Sequence, residues 1–350
     1  MYSLIKSLLF RLDPEKTHYL SLKCLQLLHR YHCGFLLRDG QISVNNNKST
    51  GTDSNLIDLM GLTLPNPVGL AAGLDKNGEY IDALSMLGFG FIEVGTVTPL
   101  PQAGNPKPRL FRLPEHQAII NRMGFNNYGI DTLIDNIVNS QYRGILGINI
   151  GKNAATPIDK ATDDYLICLE KAYPYASYIT VNISSPNTRN LRSLQSASEL
   201  DRLLNHLKNR QAQLATRHSR YVPIAVKIAP DLIEDQITAL ADVALATQID
   251  GIIATNTTID KTMLGKHRYA QETGGLSGRP VQPQSNQVLR HLSALLEGKI
   301  PLVGVGGINT GADAAEKISL GATAIQLYSG LVFRGPKLIN ECIRACSKPN

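Results

Sequence analysis

The stretch Ile179-Thr-Val-Asn-Ile-Ser-Ser-Pro-Asn-Thr-Arg-Asn190 begins as an apolar strand and ends in a dense cluster of small polar side chains. Pro186 disfavours a helical backbone at Ser185, so we expect the chain to remain extended there. A surface loop would use more charge and more glycine. The segment therefore indicates a site that hydrogen-bonds a flat polar ligand at the end of a buried strand.

The same unit, an apolar strand with a polar end followed by a helix, recurs along the chain. The predicted strands cover residues 67–71, 90–96, 144–150, 178–183, 223–228, 250–256, 301–306 and 324–328. The predicted helices lie near residues 78–88, 127–139, 160–174, 197–217, 232–247, 283–297, 312–320 and 335–346. Eight such units in succession are typical of a closed (β/α)8 TIM barrel. A doubly wound open sheet is the alternative, but it would rarely need eight such even units.

A small helical extension precedes the predicted barrel. Residues 1–40 read as a pair of amphipathic helices, the second one beginning at Asp13-Pro14-Glu15 with an N-cap, a proline and an acidic first turn. The pair could be a structural cap or could dip into a membrane interface. Residues 41–55 are polar and are predicted to be a linker, which leaves 56–350 as the barrel domain.

One insertion interrupts the repeat, between the second strand and its helix at residues 98–125. Arg109-Leu-Phe-Arg-Leu and Ala118-Ile-Ile-Asn-Arg flank the turn Pro114-Glu-His-Gln. Two alternating runs around a turn predict a hairpin. Because the loops after barrel strands build the active face, the hairpin should be a lid or part of the site.

Composition narrows the classes of function. The chain has 350 residues, 43% hydrophobic and 18% charged, which is ordinary for a soluble globular enzyme. Its net charge is +6, but the basic residues form no stripe, so we do not expect it to bind nucleic acid. The positive charge would suit an anionic substrate or an anionic membrane surface. Five cysteines without C-x-x-C spacing argue against a disulfide framework or a zinc site, and we expect no metal. No apolar run is long enough for a transmembrane helix.

The predicted strand ends converge on one rim and carry polar groups. Lys227 is the most informative, since in Pro223-Ile-Ala-Val-Lys-Ile228 it shares a face with alanine and would point into the barrel. An ammonium with room beside it suits an electron-rich or anionic ligand. A lysine that snorkels to the rim and a Schiff-base lysine remain alternatives. Glu93, a charge within an otherwise apolar strand, has no explanation in the sequence.

A glycine-rich turn follows the seventh strand. Gly304-Val-Gly-Gly-Ile-Asn-Thr-Gly311 and Gln326-Leu-Tyr-Ser-Gly330 match the phosphate-binding arrangement often found after barrel strands 7 and 8. A phosphate site, a lysine in the barrel and a ring of amides and hydroxyls indicate a flat phosphorylated cofactor with a planar substrate stacked on it. FMN fits this description.

Five motifs give the chain a specific resemblance. They are Ala71-Ala-Gly-Leu-Asp-Lys76, Asn121-Arg-Met-Gly-Phe-Asn126, Asn182-Ile-Ser-Ser-Pro-Asn-Thr188, Ile253-Ala-Thr-Asn-Thr257 and Gly274-Gly-Leu-Ser-Gly-Arg279. In this order they closely resemble dihydroorotate dehydrogenase, over essentially the whole chain. The resemblance implies an FMN-containing barrel that oxidises (S)-dihydroorotate to orotate in pyrimidine biosynthesis.

The resemblance also implies a class and a catalytic base. The soluble class of the family uses cysteine, and the quinone-linked, membrane-associated class 2 uses serine. Ser185 stands at the base position, so it would remove the C5 proton while the C6 hydride passes to the flavin. From the residues alone, Ser185 would more simply be a turn-capping hydroxyl. Serine is a poor base, so its environment or a relayed water must assist it.

Site residues follow by resemblance, position by position. The substrate would contact Lys76, Asn121, Arg122, Met123, Gly124, Phe125, Asn182, Asn187, Asn256 and Thr257. FMN, one per chain, would contact Ala72, Gly73, Leu74, Asp75, Lys76, Thr96, Asn149, Asn182, Lys227, Thr255, Gly278, Gly307, Tyr328 and Ser329. The quinone tunnel would be lined by His18, Arg112 and Tyr328, and a simple surface position is the alternative for His18.

The resemblance makes residues 1–40 the entry port for a membrane quinone. It implies a monomer bound peripherally to the cytoplasmic side of the inner membrane, with no nucleic acid as partner. Two rival hypotheses stay open. One is another flavin barrel, such as a tRNA dihydrouridine synthase, which should have a stronger basic face and a cysteine acid. The other is a flavin-free barrel, either a lysine aldolase or a binding scaffold.

Overall fold

The computed structural model describes residues 2–34 and 56–347, and side chains from residue 6 onward. Two helices come first, α1 (Tyr2–Leu9) and α2 (Pro14–Arg30). The Asp13 carboxylate accepts a hydrogen bond from the Lys16 N–H at 2.9 Å, so it caps α2 as predicted. The predicted linker, residues 41–55, lies outside the described residues.

The strands of the described chain fall into three sheets. In chain order they are β1 (Ile57–Leu59), β2 (Leu62–Leu64), β3 (Val68–Leu70), β4 (Phe91–Val97), β5 (Leu110–Leu113), β6 (Ala118–Asn121), β7 (Ile145–Ile150), β8 (Tyr178–Asn182), β9 (Ile224–Ile228), β10 (Gly251–Ala254), β11 (Gly275–Gly278), β12 (Leu302–Val305) and β13 (Ala324–Leu327). β3, β4, β7, β8, β9, β10, β12 and β13 pair in parallel and close into a barrel. The predicted TIM barrel is confirmed, and all eight predicted strands are present.

Helices cover the outside of the barrel. They are α3 (Ile81–Ser85), α4 (Gly129–Asn139), α5 (Ala161–Ala172), α6 (Ala197–His218), α7 (Glu234–Ala246), α8 (Gln282–Leu296), α9 (Gly311–Ser319), α10 (Ser329–Arg334) and α11 (Lys337–Cys346). All eight predicted barrel helices are confirmed. The short α10, directly after β13, was not predicted. The main apolar core lies between these helices and the strands.

The antiparallel pair β1–β2 closes the amino-terminal end of the barrel. Leu59 and Leu64 are buried and belong to one cluster with Phe91 and Tyr178, the first residues of β4 and β8. Gly69 permits this packing, because a Cβ there would lie 2.3 Å from the Phe91 ring. Side chains therefore fill the barrel at the amino-terminal end of its strands, and its free space is at their carboxyl end.

The predicted hairpin at the carboxyl end is confirmed. β5 and β6 are antiparallel, and a short 3₁₀ turn at Pro114–His116 connects them. β11 adds to β6 as a third antiparallel strand, which the sequence did not predict. The result is a small sheet above the barrel.

The helix pair is fixed to this small sheet by buried and half-buried charges. Arg109, at the start of the hairpin, contacts the Glu15 carboxylate of α2 at 2.7 Å, and both side chains are buried. Arg112 donates to the carbonyls of Leu9, at 3.3 Å, and of Leu12, at the carboxyl end of α1. Within residues 2–34 and 56–347, no helix is long and apolar enough to cross a membrane.

Candidate active site

A cavity opens where the barrel strands end. It encloses about 1060 Å³, counted with the solvent at its mouth. Its lining comes from the ends of β3, β4, β8, β9, β10, β12 and β13, and from the small sheet. The strand ends therefore converge on one cavity, as the polar residues in the sequence predicted.

Ser185 lies in the cavity wall and is 5% exposed. Its Oγ accepts a hydrogen bond from the Asn187 N–H at 3.2 Å, which is the turn-capping contact. Ser185 also lines the cavity, so the capping role and a catalytic role are compatible. Among the described residues, no histidine or carboxylate contacts Ser185. Its neighbours in the wall are amides and hydroxyls.

Asparagine side chains cross-link this wall. Asn256 Nδ2 donates to Ser184 Oγ at 2.9 Å, and Ser184 Oγ donates to Asn182 Oδ1 at 3.1 Å. Asn187 Nδ2 donates to the Asn121 carbonyl at 3.1 Å, which ties the Ser185 loop to the small sheet. These bonds hold the amide groups in fixed orientations around the cavity. The arrangement suits a planar ligand with several donors and acceptors.

Two lysines give the cavity its charge. Lys76 Nζ donates to the Gly73 carbonyl at 2.9 Å, and burial lowers the pKa of Lys76 to about 8. Lys227 is 5% exposed, and burial also lowers its pKa. Its ammonium has no hydrogen-bond acceptor within the described part of the chain. The described cavity lining contains no carboxylate, so the site is suited to an anionic ligand.

One end of the cavity is formed by backbone. Gly306 and Gly307 have φ values of +112° and +79°, which a residue with a side chain would adopt only under strain. A Cβ on Gly307 would also lie 2.2 Å from Gln282 Cβ. The N–H groups of Gly307 and Ile308 have no acceptor among the described residues. Free N–H groups on a glycine turn suit a phosphate.

A comparison with known families decides the assignment. Residues 56–348 match the model of the family described as dihydroorotate dehydrogenase. The chain belongs to the dihydroorotate dehydrogenase family. The prediction of the family, and with it of an oxidoreductase, is confirmed.

Close relatives extend the match over the whole chain. A protein of Neisseria meningitidis serogroup C, named dihydroorotate dehydrogenase (quinone), is 62% identical over 348 residues, or 99% of this chain and 98% of the relative. One with the same name from Chromobacterium violaceum is 56% identical, again over 99% of this chain and 98% of the relative. A solved structure of the Eimeria tenella enzyme in complex with ferulenol has a TM-score of 0.80 and 36% identity, covering 91% of this chain and 90% of that one.

Most residues predicted from the family resemblance line this one cavity. They are Ala72, Gly73, Lys76, Thr96, Asn121, Met123, Gly124, Phe125, Asn182, Ser185, Asn187, Lys227, Thr255, Asn256, Thr257, Gly278, Gly307, Tyr328 and Ser329. Segments up to about 250 residues apart in the chain therefore meet at one site, as a barrel requires. Their individual roles remain predictions.

Four predicted cofactor or substrate residues do not line the cavity. Leu74 belongs to the main apolar core. Asp75 accepts from the N–H groups of Glu79 and Tyr80 and so fixes the turn before α3. Arg122 forms an ion pair with Glu272 at 2.6 Å, beside the site. Asn149 accepts from Thr96 Oγ1 at 2.6 Å, one layer below the cavity.

Other lining residues were not assigned a contact individually, although all except Val281 lie within the motifs quoted from the sequence. They are Ala71, Pro186, Ser277, Val281, Val305, Gly306, Ile308, Gln326, Leu327 and Gly330. Gln326 is detectable in principle, because it is a polar residue at an inward position of the last strand. The strand pattern does not identify Ser277, because this residue lies on β11, which was not predicted. Its Oγ lies 2.8 Å from Ser329 Oγ.

Of the predicted tunnel residues, His18 lies on α2, Arg112 on β5 beside α1, and Tyr328 in the cavity wall. Burial and the nearby Lys76 ammonium lower the pKa of His18 to about 3, so the imidazole is neutral. Tyr328 OH lies 3.5 Å from the Gly73 carbonyl in the cavity wall. The Arg112 guanidinium lies 4.5 Å from the Phe10 ring centroid. His18 is half-buried rather than a surface group.

Proposed function

We propose that this chain oxidises (S)-dihydroorotate to orotate in de novo pyrimidine biosynthesis, with FMN as hydride acceptor and a quinone as final electron acceptor. The main support is the cavity itself, where Ser185 and two lysines meet a ring of asparagine amides. The quinone is inferred from the name of relatives that are 53–62% identical to this chain.

The residues present fit FMN. The free N–H groups of Gly307 and Ile308 would hold the phosphate, and Lys227 would face the electron-rich edge of the ring. When bound, FMN supplies a two-electron acceptor. The Lys227 ammonium would stabilise negative charge that develops near it.

Dihydroorotate carries a carboxylate and two ring amides. The Lys76 ammonium is the charge that suits the carboxylate, and Asn121, Asn182, Asn187 and Asn256 offer amides in the same cavity. Because their hydrogen bonds fix these amides before the ligand binds, little ordering is needed on binding. The ring would therefore lie flat in one orientation.

Ser185 would take the proton from C5 of the substrate. Its Oγ accepts from the Asn187 N–H, which stabilises negative charge on the oxygen, and it has no histidine beside it in the described chain. The proton must then leave through water. Thr188 Oγ1 is buried three residues later without a described partner, and it is a candidate to bind that water.

We further propose that the chain is a monomer that binds peripherally to the cytoplasmic side of the inner membrane through the helix pair. Leu8, Leu20, Leu27 and Tyr31 are exposed on α1, on α2 and just after it. An exposed apolar surface on amphipathic helices suits a lipid interface. A quinone that enters there would pass His18, Arg112 and Tyr328 on the way to the cavity.

Vesicle binding tests the membrane proposal. Leu20→Ser with Leu27→Ser should abolish co-sedimentation with anionic phospholipid vesicles and reduce activity with a long-chain quinone. The control is Ile233→Ser, which removes an even more exposed apolar side chain, just before α7. Equal vesicle binding by both proteins would contradict the proposal.

Cofactor content and product formation test the activity. The purified protein should be yellow with one FMN per chain, and should form orotate from (S)-dihydroorotate when a quinone is supplied. NAD⁺ or fumarate in place of the quinone should give no turnover. A colourless protein, or one that needs NAD⁺, would overturn the proposal.

A further inference from the structure

Glu93 is a fully buried carboxylate in the interior of the barrel, on β4 below the cavity. Its Oε1 accepts from Asn149 Nδ2 at 2.8 Å. Its Oε2 accepts from Tyr178 OH at 2.9 Å, Thr180 Oγ1 at 3.1 Å and Gln326 Nε2 at 2.7 Å. Four donors from three other strands fill the lone-pair positions of an ionised carboxylate.

A buried negative charge is costly unless a positive charge is near it. Lys227 of β9 supplies one, because it pairs in register with Asn182, two residues beyond Thr180 on β8. Thr180 binds Glu93, and Lys227 lines the cavity, so the ammonium enters the barrel one layer above the carboxylate. Burial lowers the pKa of Lys227, and Glu93 opposes that effect. Lys227 thus has its countercharge on one side and the cavity on the other.

Two of the four donors connect Glu93 to the cavity. Gln326 lines it directly. Asn149 reaches it through a chain in which Asn149 Oδ1 accepts from Thr96 Oγ1 at 2.6 Å and Thr96 Oγ1 accepts from Asn182 Nδ2 at 2.9 Å. The carboxylate therefore fixes groups on the cavity floor that it does not itself reach.

We propose that Glu93 is a positioning residue that supplies the buried negative charge balancing Lys227 and orients the amides on the cavity floor. The orientation of the amides toward a flavin rests on the proposed function. The charge balance between Glu93 and Lys227 is independent of it.

A double-mutant cycle in the full-length protein tests the charge balance. Glu93→Gln keeps the shape and removes the charge. The new amide N–H groups at position 93 can be accepted by Gln326 if its own amide rotates, since Gln326 Oε1 has no hydrogen-bond partner in the described chain. Alone, this substitution should raise the unfolding equilibrium constant at least about a hundredfold, because it removes the countercharge of a buried cation. In a Lys227→Met background it should raise the constant by less than about threefold.

Thr180→Val is the matched control. It removes one of the four hydrogen bonds and keeps the charge, so it should raise the unfolding constant roughly tenfold. That effect should be the same in the wild-type protein and in the Lys227→Met background. Additive effects of Glu93→Gln and Lys227→Met would overturn the proposal, because a residue that acts only through its hydrogen bonds does not depend on the lysine.

Folding failures also discriminate. If Glu93→Gln does not fold but the double variant does, the rescue supports the proposal. If neither folds, Glu93 acts through its hydrogen bonds alone and the proposal is wrong.

FMN affinity, followed by flavin fluorescence, gives a second readout. Glu93→Gln should weaken FMN binding at least about tenfold, and Thr180→Val should change it less than about threefold. Unchanged affinity in Glu93→Gln would contradict the positioning role. If the wild-type protein binds no FMN, the proposed function is wrong. The charge balance measured by the double-mutant cycle would still hold.

Discussion

Ser185 combines two functions that the sequence set against each other. Its hydroxyl caps a turn through the Asn187 N–H, and the residue lines the cavity. Ser185→Ala should therefore retain FMN and fold with little loss of stability, because it removes only one hydrogen bond of the described chain, at 3.2 Å. Oxidation of dihydroorotate should fall at least about a hundredfold, since general-base catalysis contributes ~10²–10⁴.

The matched control for this variant is Ser193→Ala, an exposed serine in the same loop region. Rates of flavin reduction by dihydroorotate would be compared under anaerobic conditions. Full activity of Ser185→Ala would remove Ser185 as the base.

Lys76 makes ligand binding depend on pH. Burial lowers its pKa to about 8 in the unliganded protein, so its ammonium is mostly protonated at pH 7 and mostly neutral at pH 9. If the ammonium holds the carboxylate, the dissociation constant for orotate should rise about tenfold between these pH values. This dissociation constant can be measured by adding orotate to the protein and following the change in the flavin absorbance spectrum.

The control for the pH experiment is Lys76→Met, whose affinity should be weak and nearly constant over the same range. A wild-type affinity that is equal at pH 7 and pH 9 would show that another group binds the carboxylate.

At the scale of elements, the helix pair depends on one buried ion pair. Glu15 accepts from Arg109 Nε at 3.2 Å and from Nη2 at 2.7 Å, with both side chains buried. Glu15→Gln leaves the Arg109 charge uncompensated, which typically costs ~3–5 kcal/mol. Because the pair joins α2 to the hairpin, the loss should appear as faster hydrogen exchange in α2, with the barrel unchanged.

Lys107 provides the matched control, because it also contacts Glu15, at 3.3 Å, but is exposed. Lys107→Ala should cost only about 0–1 kcal/mol and leave exchange in α2 unchanged. Equal exchange in the two variants would contradict the anchoring role of Arg109. The pair also explains why deletion of the helices is a poor test of quinone access: it would leave Arg109 unpaired.

The elements that the sequence failed to predict are short. β1 and β2 have three residues each, too few for an alternating pattern to show, and β11 is the glycine-rich Gly275-Leu-Ser-Gly278. Tertiary contacts create these strands, through burial of Leu59 and Leu64 inside the barrel and through pairing of β11 with β6. Local pattern carries no signal for either.

At the scale of the whole molecule, the barrel and most of its site could be predicted. Each strand is an apolar run with a polar end, and parallel strands bring those ends to one rim whatever their distance in the chain. The function of Glu93 could not be predicted. Its partners Asn149, Tyr178 and Gln326 come from distant strands, and only the closed barrel places them around one carboxylate.

The molecule as a whole should run two separate half-reactions at one flavin. In the proposed function, the substrate would enter at the carboxyl end of the barrel, where the cavity opens. The quinone would enter at the exposed apolar side chains of the helix pair and pass Tyr328. The most direct test is anaerobic mixing of the purified protein with (S)-dihydroorotate, followed by addition of a quinone. We expect the flavin absorbance to bleach as one equivalent of orotate forms, and to return when the quinone is added. A flavin that stays oxidised with dihydroorotate, or that bleaches and is not reoxidised by any quinone, would contradict the proposed function.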